Sequence, residues 1–446
     1  MKILLIDPAG AFVDFGMRCQ NHGHEVKQWI RKVPGHDDSK VGQGLIPRVY
    51  NWQIHMKWAD IIILSDNAYQ MRELEKYHKE GYPIVGATDL TSDLELNRGF
   101  GQAILEKAGM DVIPSRTFTD YNQAIEHVKA NPVRYVSKPS GDADKALSYV
   151  SKSAADMIFM LERWKSKGKV KMPFIMQEFV PGIEVAVGGW MGPNGFSKHI
   201  TENFEFKKLM PGNFGVNTGE MGTVVKYVKE SNLFTETLAK CEDFLRYHNY
   251  CGYVDLAFII DDKGSPRPLE WTTRPGWPLF NIQTALHKGD PVEWLLDLVN
   301  GKDTLKVSND HAVGVVAAIP DFPFTKSTGR DPNGYPIYGL EDIMDDVHLC
   351  EVMTGKAPVM KDDKIIYEDA IVSAGDYILV ATGTGKDICT ASTKAYKVID
   401  QINVPNSLIV RDDIGERLEK ELPILQSYGY CTEFVYEKGM EEEEED

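Results

Sequence analysis

The stretch CGYVDLAFIIDDKGSPRPLEWTTRPG, from Cys251 to Gly276, limits the possible fold more than any other part of the chain. Tyr253 to Ile260 is a β-branched and aromatic run, Asp262-Lys263-Gly264 carries turn residues, and Arg267 to Thr272 is a second extended run, which predicts two paired antiparallel strands. Alternation with period two sets Asp255, Ala257 and Ile259 on one face of the first strand, and Glu270 and Thr272 on one face of the second. The oxygens of Asp255, Glu270 and Thr272 are thereby expected to converge, a donor set suited to a hard divalent cation such as Mg²⁺. Arg274, just beyond, is placed to meet a phosphate or carboxylate of a substrate. An acidic hairpin facing water has the same pattern, so these residues alone leave both readings open.

A chain of 446 residues exceeds one simple core and predicts three or four domains at roughly 100 to 200 residues each. Its 43% hydrophobic and 26% charged residues are those of a globular protein, and no apolar run approaches the roughly 20 residues that span a bilayer. MKILLID passes directly from a short apolar run to polar sequence, without the apolar core of a signal peptide, so a cytoplasmic location is expected. Six cysteines with no CxxC pair argue against a disulfide scaffold or zinc ribbon. A net charge of -17 disfavours a general grip on nucleic acid, though it is compatible with a local basic groove. Glu441 to Asp446 supplies six of the negative charges and reads as a solubilising tail.

Along the chain, Lys2 to Ile6, Ala11 to His22 and His24 to Trp29 form a βαβ opening, continued by a strand at Ile61 to Leu64, a helix at Tyr69 to Glu80 and a strand at Pro83 to Val85. Residues 1–90 are expected to be an open parallel α/β domain, without the GxGxxG of a dinucleotide fold. Leu94 to Ala108 is helical in pattern, and Arg134 to Lys138 and Phe174 to Phe179 are the best strands of a second small unit. Lys138 ends its strand beside Gly141 and Lys145, as either a solvated lysine or a phosphate contact. Asn203 to Gly222 reads as a polar loop offering backbone N–H groups to anions, Asn232 to Tyr247 as a helix, and Pro291 to Asn300 as another. Strands at Ala312 to Ile319, Ile365 to Ala370 and Tyr377 to Thr382, then a helix at Asp387 to Asp400, predict a mixed α/β end domain over 310–430.

These stretches together resemble the ATP-grasp superfamily and, within it, phosphoribosylamine-glycine ligase. The matching pieces are RYVSKPSG around Lys138, MQEFVPGIEV around Glu178 and Glu184, NTGEMG from Asn217, the hairpin itself, HAVGVVAA from His311 and RDDIG from Arg411. The resemblance implies an α/β and α+β multidomain chain: an N-terminal domain over 1–90, an ATP-grasp domain over 91–310 with a lid at about 115–180 and a larger part at about 181–310, a C-terminal domain over 311–430, and the acidic tail 431–446. It implies an enzyme that uses ATP and Mg²⁺ or Mn²⁺ to phosphorylate a carboxylate and lets an amine displace phosphate from the acyl phosphate.

By the same resemblance Lys138 and Arg98 contact ATP phosphates, Glu178, Phe179 and Val180 receive adenine, and Glu184 meets the ribose hydroxyls. Lys145 lies in the loop that closes over the phosphates, Glu270 with Thr272 and Asp255 holds the metal, Arg274 steadies the reacting groups, and Asn217, Thr218 and Gly219 bind substrate. The implied partners are a small carboxylate such as an amino acid and an amine, with a modified nucleotide open as the amine, on a monomer or homodimer. The chain departs from the pattern in having Thr272 where relatives have Asn, Glu220 inside NTGEMG, Glu205-Phe206-Lys207-Lys208 before it, and only Gly141 in the mobile loop. DPAGAFVDF and SDNAYQ replace the glycine-rich loops that help hold phosphoribosylamine, bringing Asp7 and Asp66 to strand ends. Two alternatives follow: a paralogue that joins an amino acid to a different amine, or an ATP-binding scaffold without turnover.

Overall fold

Two apolar tetrads, Ile3 to Ile6 and Ile61 to Leu64, pair in parallel because each is buried on both faces of one small sheet. In this computed structural model, which describes residues 1–32, 39–139, 148–168 and 173–437, the strands are β1 (Lys2–Ile6), β2 (Glu25–Trp29), β3 (Arg48–Val49), β4 (Ile61–Leu64) and β5 (Ile84–Val85). They order as β3-β2-β1-β4-β5, all parallel. The helices of this region are α1 (Val13–Asn21), α2 (Met71–Lys79), α3 (Asp89–Leu96) and α4 (Arg98–Lys107). The single helix expected over Leu94 to Ala108 is two, because the Asn97 side chain accepts the Phe100 N–H and starts a new helix there.

The next unit has its own small core. β6 (Ser115–Phe118), β7 (Tyr135–Pro139), β8 (Tyr149–Val150) and β9 (Phe174–Glu178) order as β6-β9-β7-β8, covered by α5 (Tyr121–Ala130) and α6 (Ala154–Lys167). Phe118, Tyr135, Met157, Leu161, Trp164 and Phe174 pack together between sheet and helices.

The long strands follow. β10 (Ile183–Gly192), β11 (Gly195–Glu205) and β14 (Gly222–Val228) enclose a short hairpin, β12 (Lys208–Met210) with β13 (Phe214–Asn217). The region expected to be one polar loop is therefore a strand end and a hairpin. The helix expected over Asn232 to Tyr247 is broken into α7 (Asn232–Glu236), a 3₁₀ turn (Leu238–Cys241) and α8 (Glu242–Tyr247). The break falls at Thr237, at φ -131 and ψ -91, whose hydroxyl donates to the Leu233 carbonyl. β15 (Gly252–Ile260) and β16 (Pro266–Thr272) form the predicted antiparallel pair, with Asp255 opposite Thr272 and Ala257 opposite Glu270. Then come α9 (Leu279–Thr284), α10 (Glu293–Val299), β17 (His311–Ala318), α11 (Thr325–Thr328), β18 (Asn333–Pro336), β19 (Val347–Leu349), β20 (Val352–Lys361), β21 (Lys364–Ala374), β22 (Tyr377–Gly385), α12 (Ile388–Ile399), β23 (Ile409–Val410) and α13 (Leu418–Ser427).

The main sheet runs β16-β15-β10-β11-β14-β17-β22-β19, with β23 on β17. β14 pairs directly with β17, so residues on either side of the boundary expected at 310 share one sheet. Its two faces bury separate cores: Leu256, Phe258 and Trp271 point into one, Tyr253, Val225 and Ile282 into the other. Alternation then leaves Asp255, Glu270 and Thr272 on the face opposite Trp271, at the edge where the sheet is uncovered. Among the described residues all six cysteines are free thiols, five of them buried, and no helix is long and apolar enough to cross a membrane.

Candidate functional site

The cavity of about 210 Å³ at this edge is lined by Asp255, Glu270, Thr272, Arg274, Arg98 and Gly219, with Glu95, Glu205, Lys207 and Glu220 among their neighbours. Residues expected to act together from four distant parts of the sequence therefore meet. α4 brings Arg98 at its first turn, where Arg98 Nη1 donates to Glu270 Oε2 at 3.0 Å. The approach of α4 to β16 depends on Gly101: a Cβ there would lie 2.2 Å from the Leu94 carbonyl oxygen and 3.0 Å from Trp271 Cδ1.

Lys207 is the hub that sequence reasoning missed as a functional residue. Its Nζ lies 2.6 Å from Glu184 Oε1, 2.9 Å from Glu205 Oε2 and 3.7 Å from Glu270 Oε1. Burial works against its charge, but the three carboxylates outweigh it and hold the ammonium well above the usual lysine range. Reciprocally, burial would raise Glu184, yet Lys207 brings its carboxyl below the ordinary value. Lys138, half-buried at the end of β7, faces the same group from the lid. Desolvation, with Arg98 and Lys207 as like charges, lowers it to about 8 against the pull of Glu270 and Glu184.

On the other side of Glu270, Asp255 is buried and accepts from Asn203 Nδ2 at 2.8 Å and Tyr253 Oη at 3.1 Å. Desolvation first, then repulsion from Glu205, pushes its carboxyl up to about 7. Asn203 Oδ1 beside it is buried with no hydrogen-bond partner among the described residues. Two crowded carboxylates and an orphaned amide oxygen are groups that a divalent cation would satisfy. Among the described residues no group of three or more His, Cys, Asp or Glu is placed to hold a metal; Thr272 lines the cavity beside Asp255 and Glu270.

Arg274 is fixed by Glu95, with Nη2 3.1 Å and Nε 3.2 Å from Glu95 Oε1. Glu95 Oε2 also takes the Thr273 N–H at 2.9 Å and Asn67 Nδ2 at 2.8 Å. Thr218 donates both its N–H and its hydroxyl to the Lys207 carbonyl, at 2.8 and 2.9 Å, and Asn217 Nδ2 reaches the Ser148 carbonyl at 3.2 Å. Asn217 thus ties the β12–β13 hairpin to the residue before β8, while Gly219 is left at the cavity. Glu178 ends β9 and Phe179 and Val180 follow it; the N–H groups of Glu178 and Phe179 donate to Pro114 and Arg134 carbonyls, and Arg134 lies 3.5 Å over the Phe179 ring. Lys145 and Gly141 lie outside the described residues. Neither Lys207 nor Glu95 belongs to a distinctive motif; only their carboxylate and cation partners, remote in sequence, mark them.

A main antiparallel sheet, a separately packed α+β unit and a cleft of lysines, arginines and carboxylates give this chain the ATP-grasp fold. Within the class it resembles phosphoribosylamine-glycine ligase: residues 97–278 match the family Phosphoribosylglycinamide synthetase, ATP-grasp (A) domain. The chain is similar to phosphoribosylamine-glycine ligase of Salmonella typhimurium, 23% identical over 402 residues that cover 87% of this chain and 90% of the relative. The corresponding enzyme of Neisseria meningitidis serogroup A is 24% identical over 363 residues, 77% of this chain and 81% of that one. Among solved structures, phosphoribosylamine-glycine ligase of Thermotoga maritima superposes with a TM-score of 0.69 at 21% identity, covering 93% of this chain and all (100%) of the other. An L-amino acid ligase from Bacillus licheniformis superposes at 0.56 with 12% identity, covering 91% and 99%.

Proposed function

We propose that the chain is an ATP-dependent carboxylate-amine ligase of the phosphoribosylamine-glycine ligase type. The observation that carries this reading is the meeting of Arg98, Lys138 and Lys207 around Glu270 and Glu184 in one cleft between lid and sheet. Phosphoryl transfer asks little covalent chemistry of a protein and much positioning and charge neutralisation. Arg98 and Lys138 would hold the ATP phosphates, and a bound polyanion would restore the full charge that desolvation weakens on Lys138. Glu178, Phe179 and Val180 would take the adenine through backbone groups, and Glu184 the ribose hydroxyls. Glu270, Asp255 and Thr272 at the cavity fit Mg²⁺ or Mn²⁺, which when bound would supply charge neutralisation to the phosphates.

A substrate carboxylate oxygen then attacks the γ-phosphorus as ADP leaves, and the amine nitrogen attacks the acyl carbon as phosphate leaves and the amine loses a proton. Arg274, pinned by Glu95, would hold the carboxylate and its acyl phosphate against Asn217, Thr218 and Gly219. Orientation of this kind turns a bimolecular step into one within a complex. The test is ADP release from ATP with glycine and a panel of amines. The reading requires release that depends on both the carboxylate and Mg²⁺ or Mn²⁺ and is lost in Glu270→Gln; release at the same rate without any carboxylate would refute it.

A further inference from the structure

We propose that the amine co-substrate of this ligase is a cationic amine with no phosphate group, that Asp7 excludes phosphate by filling the anion site of the N-terminal sheet, and that Asp66 and Glu220 receive the cation. The proposal rests on the ligase reading above and names its second substrate by class. In an open parallel sheet, ligands bind beyond the carboxyl ends of the strands where the strand order reverses. The order β3-β2-β1-β4-β5 places that point between β1 and β4. The turn from β1 into α1 supplies the backbone N–H groups that hold phosphate in such a crevice.

Here those groups are already satisfied from within. Asp7 Oδ1 accepts the N–H groups of Gly10 at 3.1 Å and Ala11 at 2.8 Å, and Oδ2 accepts that of Phe12 at 2.8 Å. Gln28 Nε2 donates to Oδ2 at 2.7 Å, and Ser65 Oγ, the first residue after β4, donates to Oδ1 at 2.5 Å. Asp7 is completely buried, so a phosphate entering this turn would have to displace a carboxylate that five donors hold, or lie against it. The turn is fixed in this form: Gly10 has φ +81, and a Cβ there would lie 2.5 Å from Val41 Cγ1. Arg31, whose N–H donates to the Pro8 carbonyl, has its guanidinium 3.8 Å over the Tyr69 ring.

The loop after β4 continues from Ser65 into the cleft. Asp66 and the buried Glu220 line the cavity alongside Arg274, and the whole lining carries six carboxylates against Arg98, Lys207 and Arg274. Arg98, Lys207 and Arg274 are matched within the site by Glu270, Glu184, Glu205 and Glu95, and Asp255 belongs to the donor set for the divalent cation, so the negative charge that Asp66 and Glu220 add at this end favours a positive ligand and repels a phosphorylated one.

Calorimetry on the full chain with ADP and Mg²⁺ present, using butane-1,4-diamine and O-phosphoethanolamine as probes, tests this. The diamine is expected to bind at least tenfold more tightly than the phosphomonoester, and Glu220→Gln to weaken the diamine about tenfold. Asp7→Ser, which vacates the N–H groups, is expected to gain binding of inorganic phosphate. If that variant does not fold, the two probes on the wild-type chain decide alone: equal or tighter binding of O-phosphoethanolamine overturns the proposal, and so does failure of both probes to bind. Titration of ATP itself reports on the ligase reading separately, because loss of nucleotide binding would defeat that reading whatever the amine probes do.

Discussion

At the scale of single residues, the cleft is governed by the balance around Lys207. One ammonium faces Glu184, Glu205 and Glu270, so removing it leaves three carboxylates crowded in a partly buried site. Lys207→Met is expected to reduce kcat/KM at least a hundredfold while the chain stays folded, as steady-state kinetics beside circular dichroism will read; a loss under threefold would make Lys207 a bystander. Lys138→Ala is expected to weaken ATP at least tenfold and adenosine hardly at all, because a charge-assisted hydrogen bond contributes about 1.5 to 3 kcal/mol and the lost contact is to phosphate. Equal affinities for ATP before and after the change would return Lys138 to the role of a solvated lysine. The sequence pointed to Glu270, Asp255, Arg98 and Lys138 because each sits in a stretch whose alternation or resemblance is strong. Lys207 and Glu95 were not legible as functional: a lysine in EFKK and a glutamate on a helix look like surface charges until the partners from β10, β16 and the Arg274 turn are brought alongside.

At the scale of elements, alternation foretold the faces of β15 and β16, and the register bears this out with Asp255 opposite Thr272. Element breaks were harder to read, since Asn97 and Thr237 act through local side-chain to backbone bonds that hydrophobic periodicity does not record. The β12–β13 hairpin hid in a Gly- and Asn-rich stretch whose composition suits loops and tight turns equally. The packing of α4 on β16 gives a sharp expectation. Gly101→Ala is expected to destabilise the fold by about 1 to 3 kcal/mol in urea unfolding, since the added methyl meets backbone rather than a side chain that can yield.

Where β11 meets the chain's C-terminal segment, Glu202 is buried and accepts from Ser231 Oγ at 2.7 Å. Burial, aided by Glu433, pushes its carboxyl up to about 7. The folded state therefore holds this proton more tightly than the unfolded chain, whose glutamate titrates near 4.3, and this contribution to stability falls as pH rises from about 4 to about 7. Glu202→Gln should flatten that slope and gain on the order of 2 kcal/mol at pH 8 relative to pH 5. Unfolding curves of both proteins at the two pH values check it; an unchanged pH 5 to pH 8 difference would contradict the assignment.

At the scale of the whole molecule, the parallel sheet, the lid and the long antiparallel sheet each contribute to one cleft, and their contributions differ in kind. The lid has its own core and presents Lys138, the main sheet presents the carboxylates, and the N-terminal sheet presents Asp66 from a crevice already closed by Asp7. On the proposed reading, that division matches a nucleotide half that departs less from the resemblance than the acceptor half does. The central claim is that this cleft couples ATP cleavage to amide formation through a carboxylate. The most direct measurement is positional isotope transfer: glycine labelled with ¹⁸O in its carboxylate is incubated with ATP, Mg²⁺ and the amine panel, and released phosphate is analysed by mass spectrometry. Transfer of one ¹⁸O from the carboxylate to phosphate, in step with ADP release and absent in Glu270→Gln, is the predicted result. Phosphate released without carboxylate oxygen, at the same rate as ADP, would contradict the account.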